Sequence, residues 1–227
     1  MRVFATADAL AEALAEAVAA ALSARLARSE TAALAVSGGQ TPVRFFKMLS
    51  AKELDWSRVI VTLVDERWVS ETSPRSNAAL VRENLLQGRA AAARFVPLVN
   101  AAATPQAGIG AAEAAIRALP LPLAAAVLGM GMDGHTASFF PGADRLAEAL
   151  APAQGQMVEY LSAEAAGEPR ITLTLPVLLA AEFLAVHVEG TAKRGVLEAA
   201  RAAGPVAEMP IRAVLARHPE PDIFWCA

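Results

Sequence analysis

Long amphipathic stretches alternate with short apolar runs along this chain. Between Asp8 and Ala27 the acidic positions Asp8, Glu12 and Glu16 recur every fourth residue, so they share one face of a helix. Ala32–Val36 is a short apolar run that ends at Ser37-Gly38-Gly39. Thr41-Pro42 reads as an N-cap followed by proline at the first helical position, opening a helix to about Ser50. Val59–Val64 is β-branched and bounded by charges, which predicts a strand. Asn77–Leu86 reads as a helix, and Thr104-Pro105 repeats the cap-plus-proline signal before a helix to Ala118. Further strands are expected at Ala124–Leu128, Arg170–Leu175, Phe183–Val188 and Ile223–Cys226, with a helix over Ala192–Arg201.

Most of these strands are continuously apolar, the mark of a parallel sheet covered on both faces. The expected fold class is therefore α/β: a three-layer α/β/α arrangement with a mostly parallel, Rossmann-like sheet. With 227 residues and no repeat or low-complexity linker, one domain over residues 1–227 is expected.

Composition narrows the function. A net charge of −3 and the absence of a long Lys/Arg run argue against nucleic acid as a partner. The one cysteine, Cys226, excludes an internal disulfide framework and fits a reducing cytosol, so a cytoplasmic protein is expected. The acidic face of the first helix interrupts any signal-like apolar region. The uncharged stretch 95–112 is broken by Pro97, Asn100, Pro105, Gln106 and two glycines, so no membrane span or membrane partner is expected.

Four polar or glycine-rich clusters directly follow predicted strands: Ser37-Gly38-Gly39-Gln40-Thr41, Asp65-Glu66-Arg67, Gly129–His135 and Gly190-Thr191-Ala192-Lys193. Ligands of open parallel sheets bind beyond the carboxyl ends of the strands, so the four should meet on one edge. Ser37–Thr41 turns into a helix start, where free N–H groups and the helix dipole favour a phosphate. Lys193 and Arg170 are candidate cations for the same phosphate. Gly129, Gly131 and Gly134 let the backbone turn tightly and approach a ligand, and His135 stands among them with Asp133. An imidazole takes and returns protons near neutral pH.

Competing motifs fail on context. The three glycines match GxGxxG, but Pro141-Gly142 would break the helix that should hold a pyrophosphate, and no acidic residue follows at the usual place. His187 lies inside the apolar run FLAVHVE and reads as a satisfied core or sheet residue; His218 sits in a Pro-rich turn. No histidine pair has metal-ligand spacing, so no metal site is expected. No GxSxG elbow is present.

The motifs AVSGGQTP, VTLVDERWV with SPRSNAALVRENLL, LGMGMDGHTASFFPG, RITLTLPVLLAAEF and VEGTAKRGVLEA resemble, almost end to end, the 6-phosphogluconolactonase branch of the glucosamine-6-phosphate isomerase/6-phosphogluconolactonase family. The resemblance implies an α/β sheet fold and hydrolysis of a sugar-phosphate lactone in the pentose phosphate pathway without a metal or cofactor. His135 matches the family's general base and Asp133 the acidic residue two positions before it. Arg67 matches an arginine lining the sugar site, and Asp65 is the next candidate for the base. Ser37, Gly38, Gly39, Gln40, Thr41, Arg170 and Lys193 match phosphate-holding positions of the wider superfamily. Arg75 departs from the pattern, because relatives often carry an acidic residue before Ser-Asn; Asn77 is a candidate cap for the next helix. The expected partner is the small lactone alone, with the protein a monomer or weak homo-oligomer. Two alternatives stay in view. The deaminase branch carries Asp-Glu-Tyr in place of Asp65-Glu66-Arg67 and a glutamate where this chain has Phe139-Phe140. A sugar-phosphate sensor would need a DNA-binding module, and only one helix is predicted before the first strand.

Overall fold

The computed structural model describes residues 1–227. The chain runs β1 (Arg2–Phe4), α1 (Ala7–Leu26), β2 (Ala32–Val36), α2 (Val43–Ser50), β3 (Val59–Leu63), β4 (Asp65–Arg67), α3 (Asn77–Asn84), β5 (Arg94–Val96) and α4 (Pro105–Arg117). It continues with β6 (Ala125–Leu128), α5 (Leu146–Leu150), β7 (Val158–Leu161), β8 (Arg170–Leu173), α6 (Leu175–Leu179), β9 (Phe183–Glu189), α7 (Thr191–Arg201), α8 (Ile211–Leu215) and β10 (Asp222–Cys226).

Seven strands form one sheet in the order β1-β10-β9-β6-β2-β3-β5, and every neighbouring pair is parallel. Every residue of β2, β3 and β6 is buried. Successive side chains point to opposite faces, so burial of all of them means that both faces are covered. The apolar runs in the sequence carry that requirement directly. Helix α1 starts at Thr6, whose hydroxyl accepts from Ala9 N–H at 3.1 Å, and buries Leu10, Leu14, Val18 and Leu22 along one stripe.

After β2 the chain steps outward to β3 and β5; β6 then adds on the opposite side of β2. The crevice between the ends of β2 and β6 is the switch point at which open α/β sheets bind ligands.

A second, three-stranded antiparallel sheet, β4-β8-β7, departs from the sequence expectation. Asp65-Glu66-Arg67 is not a loop after β3 but a strand of its own. Val64 marks the transfer: its N–H donates to Val36 O in the main sheet and its carbonyl accepts from Leu173 N–H. The alternation in RITLTL belongs to this antiparallel sheet, where Arg67 stands opposite Arg170. Three short strands, β1, β5 and β7, are also absent from the sequence reading. Pro42, not Thr41, occupies the cap position of α2, with no side-chain capping bond.

Candidate active site

A cleft of about 350 Å³ opens at the carboxyl ends of β9, β6, β2 and β3, four adjacent strands of the main sheet. Ser37–Pro42, Asp65, Arg67, Gly129, Gly131, His135, Arg170 and Lys193 all line it. Asp133 reaches it through His135. The expected meeting of four clusters on one edge is therefore observed.

The β6 loop builds the histidine. Gly131 N–H donates to His135 O at 2.9 Å, and Thr136 Oγ1 donates to Gly129 O at 2.7 Å, closing a compact turn. Gly134 adopts φ +77°, where residues other than glycine are strained, and its carbonyl accepts from Ile211 N–H at 2.9 Å. A Cβ on Gly131 would lie 2.2 Å from the His135 ring, so the ring can rest there only over a glycine. Asp133 Oδ1 lies 2.5 Å from His135 Nδ1 and also accepts from His135 N–H at 3.1 Å. An ionised carboxylate only accepts, so it takes Nδ1–H and leaves the Nε2 lone pair free. The ring is tilted against Phe140 with centroids 4.2 Å apart.

Asp65 faces the same space but is held on both sides. Ser138 Oγ donates to its Oδ2 at 2.6 Å, and Arg170 Nη1 lies 3.6 Å from that oxygen. Arg170 is itself buried; it donates to Ala166 O at 3.0 Å and lies over the Phe140 ring at 5.2 Å. Burial lowers its pKa from the ordinary value, with Asp65 opposing that shift. Arg67 donates through Nη1 to the carbonyl of Arg75 at 2.6 Å. The Arg75 side chain pairs with Glu168 from the loop before β8, and that guanidinium holds the Glu168 carboxyl down at about 2. The departing Arg75 side chain is thus engaged with Glu168, while Arg67 is held by the Arg75 backbone alone.

Glu66 points away from the cleft and clamps α3. It accepts from the backbone N–H groups of Arg67, Asn77 and Ala78 and from Ser76 Oγ. Burial pushes its carboxyl up, and those N–H donors oppose the shift. Ser76, not Asn77, caps the helix through its hydroxyl. Asn77 instead turns into the cleft, where Nδ2 donates to Asp65 O at 3.0 Å. A Cβ on Gly38 would lie 1.8 Å from Asn77 Oδ1, so this pairing demands glycine at 38. Gly39 has φ +87°, and the turn delivers the chain to α2, whose first N–H groups carry no side-chain cap.

Met130, Thr136, Ala137, Phe140, Ala165 and His187 also line the cleft, and sequence reasoning gave none of them a place in the site. Phe140 looks like ordinary core before Pro141. His187 departs from the expectation of a satisfied core residue. It is 2% exposed, its Nε2 pairs with Glu189 at 3.0 Å, and its buried Nδ1 has no partner in the protein. No group of three His, Cys, Asp or Glu side chains is placed to hold a metal ion.

A family model described as glucosamine-6-phosphate isomerases/6-phosphogluconolactonase matches residues 5–225. The chain belongs to this family. Within it, a 6-phosphogluconolactonase of Rhizobium meliloti (strain 1021) is 54% identical over 226 residues, covering 99% of this chain and 97% of the relative. One of Mesorhizobium japonicum is 54% identical over 201 residues, covering 88% of this chain and 84% of the relative. The crystal structure of a 6-phosphogluconolactonase from Shewanella baltica OS155 superposes with a TM-score of 0.96 at 40% identity, covering 100% of this chain and 97% of that one. A monomeric glucosamine-6-phosphate deaminase shares the fold at 16% identity and a TM-score of 0.77. The deaminase and this chain thus share one scaffold.

Proposed function

We infer that the chain is a lactone hydrolase acting on 6-phospho-D-glucono-1,5-lactone and yielding 6-phospho-D-gluconate in the oxidative pentose phosphate pathway. One observation carries the reading: the Asp133–His135 pair faces the same cleft as the Ser37–Thr41 turn and Lys193, on neighbouring strand ends.

The phosphate docks on the Ser37–Thr41 turn, with Arg170 and Lys193 as cations. This anchor sets the lactone carbonyl near His135, and such positioning supplies several kcal/mol of rate enhancement. Neutral His135 takes a proton at Nε2 from the attacking water. The imidazolium returns it to the departing ring oxygen. Asp133 keeps the tautomer and stabilises the charged ring. Arg67 and the backbone N–H groups of residues 129–135 are the donors for the developing oxyanion. Asp65, tied to Ser138 and Arg170, holds Arg170 in place rather than moving protons. The reaction uses protein groups alone. One chain supplies every group, so a monomer or weak homo-oligomer suffices. No helix is long and apolar enough to cross a membrane, and the single cysteine is buried and unpaired, which fits a cytoplasmic enzyme.

The test follows acid release from freshly made 6-phosphogluconolactone, corrected for spontaneous hydrolysis. Acceleration that survives a strong chelator is expected. No acceleration ends the reading; activity abolished by EDTA and restored by a divalent ion ends its metal-free form. Turnover of glucosamine 6-phosphate instead assigns the chain to the deaminase branch.

A further inference from the structure

His187 sits near the end of β9, 2% exposed, in the wall of the cleft that also holds Lys193 and the Ser37–Pro42 turn. Its surroundings are polarised in one direction. Nε2 lies 3.0 Å from Glu189 Oε1 on the same strand. The Phe45 ring of α2 meets the imidazole edge-on with centroids 6.4 Å apart, which fixes its plane. The bond from His187 holds the Glu189 carboxyl below the usual carboxylate range against its burial, with Arg44 of α2 and Lys193 of α7 adding to the shift. Cys226 of β10, in register with Glu189, has a thiol pushed up by burial and by that carboxylate, so it stays neutral.

An ionised Glu189 can only accept, so it takes Nε2–H and leaves Nδ1 as the ring nitrogen with no assigned role, in a residue of the cleft wall. That atom is fully buried and has no partner in the protein. A buried polar atom left without a partner is costly, and in the wall of a cleft an incoming ligand or an ordered water can supply that partner.

We propose that His187 Nδ1 is a ligand for the substrate phosphate, donating as an imidazolium that Glu189 holds from the other side. The placement favours phosphate over a sugar hydroxyl, because the neighbouring cleft groups are a lysine and a glycine turn at a helix start. Phosphate entry brings a negative charge to Nδ1, and the ring takes up one proton, from solvent or from a phosphate monoanion. Lys193 then supplies a fixed cation and His187 a proton-linked one.

This rests on the lactonase reading for its substrate but not for its first test. Inorganic sulfate carries no titratable proton near neutral pH. Its binding to the wild-type protein, measured by calorimetry at pH 7.5 in two buffers of different ionisation enthalpy, should show proton uptake, and His187→Phe should abolish that uptake. Sulfate binding without uptake in the wild type overturns the proposal whether or not the protein hydrolyses lactones. In the kinetic test, His187→Phe should lower kcat/KM for 6-phosphogluconolactone relative to unphosphorylated gluconolactone by about tenfold or more, mostly through KM. His187→Asn, which returns a polar nitrogen close to the position of Nδ1, should recover part of that ratio. An unchanged ratio in a folded His187→Phe protein, or equal losses on both substrates, overturns the assignment. Lactone hydrolysis absent from the wild type would instead overturn the lactonase reading and leave the sulfate result standing.

Discussion

Ser138 Oγ donates to Asp65 Oδ2 at 2.6 Å, and this bond ties the loop after β6 to the first strand of the small sheet, 73 residues away in sequence. Both side chains are buried, so the hydroxyl satisfies a carboxylate that water does not reach freely. Removing a hydrogen bond to a buried charge destabilises by about 1.5–3 kcal/mol. Ser138→Ala should therefore lower the unfolding free energy by that amount, seen as a lower urea midpoint, and reduce turnover as Arg170 loses its fixed partner. A midpoint equal to that of the wild type would show that Arg170 alone holds Asp65.

His135→Ala should leave the fold intact and remove turnover. The ring is partly exposed and rests on a loop, and Gly131 needs nothing from it. General-base contributions are about 10²–10⁴-fold. A variant that retains turnover within a few-fold of the wild type moves the base elsewhere, with Asp65 next in line.

Arg170→Ala and Lys193→Ala separate binding from chemistry. Each loses a charge-assisted bond to phosphate, a class worth about 1.5–3 kcal/mol, so KM for the phosphorylated lactone should rise. Gluconolactone without a phosphate makes no such bond. Equal loss on the two substrates would instead mean that these side chains support the fold or the reaction. Arg170 is the sharper case, because it also touches Asp65 and Phe140.

The Arg75–Glu168 pair has a pH signature. Glu168 has a folded pKa of about 2 against its ordinary 4.5, with the Arg75 bond as the leading cause. A depressed carboxylate contributes stability that is fully present above its ordinary value and is lost as pH falls through the folded value. Wild-type stability over Glu168→Gln should thus be constant above pH 4.5 and shrink between there and pH 2. Thermal melts of both proteins across that range give the difference directly. A difference that grows as pH falls would contradict the pairing.

The large sheet was legible because its strands are buried on both faces and so read as unbroken apolar runs. The candidate site was legible because Ser37–Thr41, Gly129–His135 and Lys193 each follow such a run. The small sheet was hidden: β4 and β7 are three and four residues long, and β4 carries three charges, so no apolar run marks it as a strand. Antiparallel pairing to β8 supplies what local propensity does not. His187 was hidden for the opposite reason. Its neighbours on β9 are apolar, so burial was evident, but the missing partner at Nδ1 depends on what α2 and α7 bring beside it. Asn77 was assigned the capping task that Ser76 performs, since either residue type can cap and only the three-dimensional path of Glu66 decides between them.

The cleft draws on residues 37–42, 65, 67, 129–131, 135–137, 187 and 193, and these meet only when four parallel strands lie side by side. Each parallel pairing requires a crossover connection, so the ordering of distant chain segments precedes any complete site. Such non-local pairing is slow compared with helix formation. In refolding from denaturant, the helical far-ultraviolet signal should therefore recover ahead of enzymatic competence. A chain caught with the half of the sheet before β6 assembled would possess the Ser37–Thr41 turn and lack His135 and Lys193 beside it.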